Sequence, residues 1–301
     1  MKNLLPALHS AVVIITPLLF ASAGGLFTEL AGMLNIALEG LLLAGAFSAV
    51  AAVHYTGNLA AGLAAAILAS LFLSALLAFA TLKLRSNLFI TGLAANLLAA
   101  GLTVILSQSL FNTKGVVALR DFRYPRLFAI PVIGDIPVIG ELLSGHSAYV
   151  YSGWLLLLLS WIAIYRTPFG YRLRACGRHS AALESLGVRP GVYRWAAYLI
   201  SGFCCGIGGS FLSLNLGAFV PNMTAGKGWI ALVVIFLGGR KPQGLLAAAF
   251  VLGLAEALSN YAQGARRFSV PSDIILAIPY LLTLLAMVVS SAWVKRKSRV
   301  S

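Results

Sequence analysis

Few residues of this chain could do chemistry, and the ones that could sit in apolar surroundings. Asn35 and Glu39 lie within the stretch from Gly32 to Gly40, and Glu256 lies in the apolar run from 243 to 262. A spacing of four puts Asn35 and Glu39 on one face of a helix, and the two glycines let a second backbone come close. An ionisable side chain inside a bilayer costs about 2.5–3.5 kcal/mol on insertion scales and faces a bundle interior or a water path. Two roles fit the pair: it clamps a break in a helix, or it lines the route of a polar solute. A second polar group, Asn215, Asn222, Thr224 and Lys227 around Pro221, reads either as a re-entrant gate or as an exposed loop. Asn96, alone in its apolar run, has the character of an interhelical hydrogen bond.

Catalytic constellations are missing. The chain has no HExxH, no CxxC pair and no aspartate-rich diphosphate motif, and His9, His54, His146 and His179 fall in four separate segments with no metal-binding spacing. Gly208-Gly209-Ser210 is not a nucleophile elbow, and no base pairs with Ser210. There is no phosphate-binding loop: Gly226-Lys227 is followed by glycine, and Pro221 stands where the first glycine should be. Any energy from ATP must come from another subunit, and no cofactor or metal is expected on the chain itself.

The elements that position these residues must be membrane helices. Of 301 residues 60% are hydrophobic and only 10% charged, with mean hydropathy +0.92, whereas charged residues make up about 25% of a soluble domain. Candidate spans lie at about 4–23, 30–54, 58–82, 88–107, 148–165, 190–212, 228–239, 243–262 and 272–293. The expected fold is therefore an all-α polytopic bundle with about nine (8–10) spans. Segment 30–54 is interrupted by Gly32, Asn35, Glu39 and Gly40, and 228–239 is too short to cross unaided. Both read as broken or re-entrant segments, which a bilayer accepts only where the freed backbone is buried in protein or lines a cavity.

Twenty-two basic residues against eight acidic ones give +14, a balance that in a soluble protein would suggest nucleic acid. Their placement says otherwise. Fourteen fall on one face when the spans alternate: Lys83, Arg85, Arg166, Arg172, Arg174, Arg178, Arg189, Arg194, Arg240, Lys241, Lys295, Arg296, Lys297 and Arg299. The positive-inside rule makes that face and the C-terminus cytoplasmic, and the charge is also compatible with contact to anionic lipid. Nine spans then require the N-terminus outside, and ten require it inside.

Lys2, an apolar run and Ala21-Ser22-Ala23 imitate a cleavable signal peptide, but the segment leads straight into another span and reads as an uncleaved one. Cys176, Cys204 and Cys205 form no disulfide framework and are expected as free, packed thiols. Residues 108–147 form an external loop containing the near-repeat IPVIG at 130–134 and 136–140, which suggests strands or turns. Residues 166–190 are the one long cytoplasmic loop. Within it Ser180 to Leu186 reads as a short helix, with Ser180 a candidate N-cap and Gly187 the stop.

The segment Thr28-Glu29-Leu30-Ala31-Gly32-Met33-Leu34-Asn35-Ile36-Ala37-Leu38-Glu39-Gly40 resembles the signature of permease subunits of bacterial ABC importers for nucleosides, simple sugars and branched-chain amino acids. The likeness continues through 167–175, Ala181-Ala182, Leu186-Gly187-Val188, 219–232 and 278–284, in order over about Gly24 to Val288. It covers nothing in 108–147. The shorter permease of nucleoside-type systems is the most similar kind.

This resemblance implies a single permease domain over 1–301 in the bacterial inner membrane. Its implied partners are a second permease in a heterodimer, a cytoplasmic ABC ATPase and an external substrate-binding lipoprotein. It also implies a coupling helix at Ser180 to Leu186, with Phe169, Gly170, Arg172 and Arg174 leading in and Ala181, Ala182, Leu186 and Gly187 fitting a groove of the ATPase. Solute would cross between two permeases, and Asn35, Glu39, Asn96, Asn222 and Thr224 are the pathway candidates. The expected cargo is a nucleoside, with riboflavin or a simple sugar as alternatives. An ion-coupled secondary transporter using Glu256 is the contrasting class; it would favour an inverted repeat, and none is evident.

Overall fold

The computed structural model describes residues 4–119, 124–128 and 144–264, with side chains from residue 9 to residue 259. Ten α-helices carry the fold among the described residues: α1 (Leu4–Leu30), α2 (Leu38–Thr56), α3 (Leu59–Ala78), α4 (Leu88–Phe111), α5 (Ala148–Arg166), α6 (Pro168–Arg178), α7 (Ser180–Ser185), α8 (Pro190–Leu216), α9 (Lys227–Leu237) and α10 (Pro242–Gly264). Among the described residues seven helices are long and apolar enough to cross a membrane, and α9 is shorter. The expected segment 272–293 and the IPVIG repeat lie outside the described residues.

α1 is the central column. It runs unbroken through Ala21, Ser22 and Ala23, all fully buried, and packs against α8, α10, α9 and α5. α8 lies along α1, α2 and α3 at very short range because glycine removes the Cβ layer. A methyl at Gly206 would meet the backbone of Ala66 and Ile67, and one at Gly24 the backbone of Ser201. Close approach of this kind is what holds membrane helices together when lipid competes for apolar surface. By contrast α3, α4 and α5 present exposed Leu68, Phe72, Leu97, Ile105 and Leu159. Leucine and phenylalanine facing outward are at home against lipid chains.

Both interrupted segments are broken, as their composition predicts. Residues 31–37 are irregular, with Gly32 at φ +76°, and α2 begins only at Leu38. Residues 220–226 form turns before α9, which at 11 residues spans about 16 Å, half of a bilayer core. α3 ends in a π-helical turn, Phe79–Lys83, and Asn87 caps α4 by accepting from Phe89 and Ile90 N–H.

Three features differ from the sequence reading. α4 continues to Phe111, into the stretch expected as loop. The loop ends are not purely irregular: β1 (Val117–Ala118) pairs antiparallel with β4 (Ala218–Phe219), and β2 (Leu127–Phe128) with β3 (His146–Ser147). These two-residue strands satisfy backbone groups where the chain re-enters the bundle. The 166–190 loop is almost wholly helical, and α7 starts after His179 with no side-chain cap, so Ser180 is its first residue and not its N-cap.

One end of the bundle gathers the basic residues. The ends of α1, α3, α5 and α9, the start of α8, and all of α6 and α7 meet there, with Gly177 of α6 against the backbone of Leu30 and Gly32. Arg240 bonds Glu29 across it at 2.9 Å. At the opposite end Tyr55 donates to the Leu110 carbonyl, and Leu119 N–H to Gly217 O.

Candidate functional site

The two breaks meet. Glu39, in the first turn of α2 and 9% exposed, accepts the Gly226 N–H on Oε1 at 2.8 Å and the Gly228 N–H on Oε2 at 2.6 Å. Those donors belong to the start of α9. An unpaired N–H at a helix start is costly in an apolar interior, and the positive end of the helix dipole favours an anion there. One carboxylate thus closes the start of α9 from the first turn of α2. Gly228 permits it, since any side chain there would overlap the backbone N and Cα of Glu39.

Asn35 and Asn96 close the other half of the joint. Asn35, 2% exposed, accepts the Ala37 N–H on Oδ1 and donates from Nδ2 to Ser201 Oγ of α8 at 2.9 Å. Asn96, about 12 Å along α4, accepts the Gly40 N–H at 2.7 Å and donates to the Ile36 carbonyl at 3.0 Å. The amide spans the break like a missing turn of helix. Of the five pathway candidates, Asn35, Glu39 and Asn96 therefore converge at the start of α2, each bonded to backbone.

Asn222 and Thr224 belong to the loop that delivers Gly226 to Glu39. Asn222 is exposed with φ +57°, and Ala225 has φ +45°, a left-handed conformation that costs an alanine about 1–2 kcal/mol. Thr224 is fully buried, and its hydroxyl has no hydrogen-bond partner among the described residues. Lys227, the first residue of α9, bonds Glu256 of α10 at 2.7 Å, both half-buried. Two intramembrane charges are neutralised by each other. Sequence reasoning flagged both residues but not the pair, because nothing in a sequence links positions 29 apart on different helices.

The basic face holds the second candidate element. α6 and α7 form a bent helix pair pinned to the bundle: Gly170 packs against the Ala163 and Ile164 carbonyls with no room for a Cβ, and Phe169 tilts against Tyr193 at 5.7 Å. Arg172 donates to Tyr193 Oη at 3.1 Å, and Arg174 lies over the Tyr165 and Tyr171 rings at 4.9 and 5.0 Å. α7 buries only Leu183 and presents Ala181, Ala182, Leu186 (78% exposed) and Gly187 (φ +76°) to the outside. Cys176 is buried in α6, which pushes its thiol pKa up despite the opposing pull of Arg194. Cys204 and Cys205 are also free and buried.

A buried column, a half-crossing joined inside the bundle to the broken start of α2 and a helix pair displayed on the basic face define a multi-pass membrane protein. A solved structure assigned to the metal-chelate type of ABC transporter, in an inward-facing conformation, shares the fold at TM-score 0.51 and 17% identity, over 91% of this chain and 84% of that one.

Residues 7–290 match the family described as the permease component of branched-chain amino acid transport systems, and the chain belongs to that family. It is 32% identical to the guanosine ABC transporter permease protein NupQ of Bacillus subtilis, over 92% of this chain and 89% of the relative. It is also 32% identical to the nucleoside ABC transporter permease protein NupC of Lactococcus lactis, over 90% and 88%. A protein of Haloferax volcanii named for glucose ABC transport, TsgC13, matches at 32% over 85% and 77%.

Proposed function

We propose that the chain is one permease subunit of an ATP-driven importer for nucleosides, with the basic face and the C-terminus in the cytoplasm. The observation that carries the reading is 32% identity over about nine-tenths of the chain to two permeases named for guanosine and nucleosides. The likeness to a glucose-named protein keeps a simple sugar as the second reading. In this reading the exposed surface of α7 seats in the ATPase, where hydrolysis takes place. A second permease completes the solute route, and a binding lipoprotein delivers the solute.

Motion of α7 reaches the bundle through α6, whose Gly177 touches the end of α1. The end of α1 leads through residues 31–37 into the joint at Glu39. Asn222 and Thr224, on the loop closing that joint, are the groups through which solute and joint would communicate, and Asn35, Glu39 and Asn96 hold the joint's shape.

The test is uptake of labelled guanosine, riboflavin and glucose by cells expressing the chain with its cognate ATPase, second permease and receptor. Guanosine uptake abolished by deleting 178–188, with co-purification of the ATPase lost, is the expected result. Uptake that persists without the ATPase on a proton or sodium gradient would replace this reading with a secondary transporter.

A further inference from the structure

At the end of the bundle opposite the basic face, α2 and α4 finish in a group of aromatic rings. Tyr55 and Phe111 lie nearly parallel, 6.0 Å apart at 22°, and His54 stands edge-on to both at 5.2 and 4.9 Å. Phe47 continues the line inward, edge-on to Phe111 and to Phe219 of β4, and half-buried Met223 of the 220–226 loop packs in the same cluster. The rings therefore lead from the outer rim to the loop that Glu39 anchors.

An aromatic side chain at a membrane surface is ordinarily an interfacial anchor. This group has two properties an anchor does not need. First, it is rigid yet open: Tyr55 is held by its hydroxyl on the Leu110 carbonyl at 3.3 Å and by both neighbouring rings, while it stays 62% exposed. Second, the last turn of α4 beside it exposes Gln108, Ser109 and Asn112. A fixed, open π-face next to hydrogen-bonding groups is the chemistry that recognises a planar heteroaromatic ring, by stacking on the face and by polar contacts at the edge.

We propose that His54, Tyr55 and Phe111 form a stacking site for the base of the incoming nucleoside at the outer mouth of the permease. The proposal rests on the nucleoside reading above and adds where the solute first touches this chain. Buried Phe47 and Phe219 join this group to the 220–226 loop, so occupancy of the site is felt at the loop that Glu39 anchors.

The test uses the assembled transporter. Tyr55→Ala should lower guanosine uptake at subsaturating concentration about tenfold, the factor expected for loss of one base–aromatic stack. Tyr55→Phe and Tyr55→Trp should retain most of it, with the amount of assembled complex equal in all three. Photolabelling of the unmodified complex with 8-azidoguanosine, followed by peptide mapping, should place adducts at 54–55 or 111 and so does not depend on any variant folding. Tyr55→Ala transporting like the unmodified protein, Tyr55→Phe failing as badly as Tyr55→Ala, or adducts confined to other segments would each overturn the proposal. No guanosine transport or labelling by the unmodified complex would instead overturn the nucleoside reading.

Discussion

Replacing Glu39 with alanine removes both acceptors at the start of α9 at once. The Gly226 and Gly228 N–H groups, bonded at 2.8 and 2.6 Å, would be left in a site only 9% exposed. Each orphaned buried donor costs about 2 kcal/mol, so the pair costs about 4 kcal/mol, and loss of the carboxylate from the helix end adds about 0.5 kcal/mol. Glu39→Gln keeps the shape but has one acceptor; its NH2 faces a second N–H, so about half the loss is expected. The order of stability should therefore be Glu, then Gln, then Ala. Thermal unfolding of the detergent-solubilised protein measures it, and hydrogen exchange over 225–229 localises it. An alanine variant that melts with the unmodified protein and keeps its protection at Gly226 and Gly228 would show that the carboxylate is not what closes the joint.

Gly228→Ala should fail to accumulate in the membrane, because its methyl overlaps the Glu39 backbone, whereas Gly101→Ala, with open space around it, should accumulate normally; immunoblots of membranes read both. Glu256→Ala should destabilise by about 3 kcal/mol by leaving Lys227 unpaired, and the exchange Lys227→Glu with Glu256→Lys should recover part of that in unfolding measurements. At Cys176 the raised pKa favours the neutral thiol in the fold. Its contribution to stability is present below the ordinary thiol pKa and is lost as pH rises through the raised value. Alkylation of the folded protein should accordingly lag a free thiol into alkaline solution and catch up on unfolding.

Which segments break was legible because polar residues and glycine interrupt otherwise apolar runs, and a bilayer makes such interruptions expensive. Gly32, Asn35, Glu39 and Gly40 announced the gap before α2, and the ten residues between Lys227 and Gly238, all apolar or glycine, announced a half-crossing. α7 was legible within one residue at either end from its small residues and Gly187. The partner of Glu39 was not legible, because 187 and 189 residues separate it from its donors and main-chain donors leave no trace in side-chain identity. The same reason hid the Asn96 bridge to Gly40 and Ile36, although its role as an interhelical bond could be read from its isolation. The β pairs were invisible because two-residue strands carry no periodicity.

The joint has a consequence for how the chain is made. Glu39 and the open backbone before α2 enter the membrane early in synthesis, while the N–H groups that satisfy the carboxylate appear only after Pro221. For most of translation the second crossing therefore lacks the native partner of its buried carboxylate, which costs about 2.5–3.5 kcal/mol in lipid on insertion scales. The carboxylate finds its native donors only when α9 emerges. The start of α2 is thus completed by a segment made 187 residues later, and a chain ending before 226 would lack both donors to Glu39.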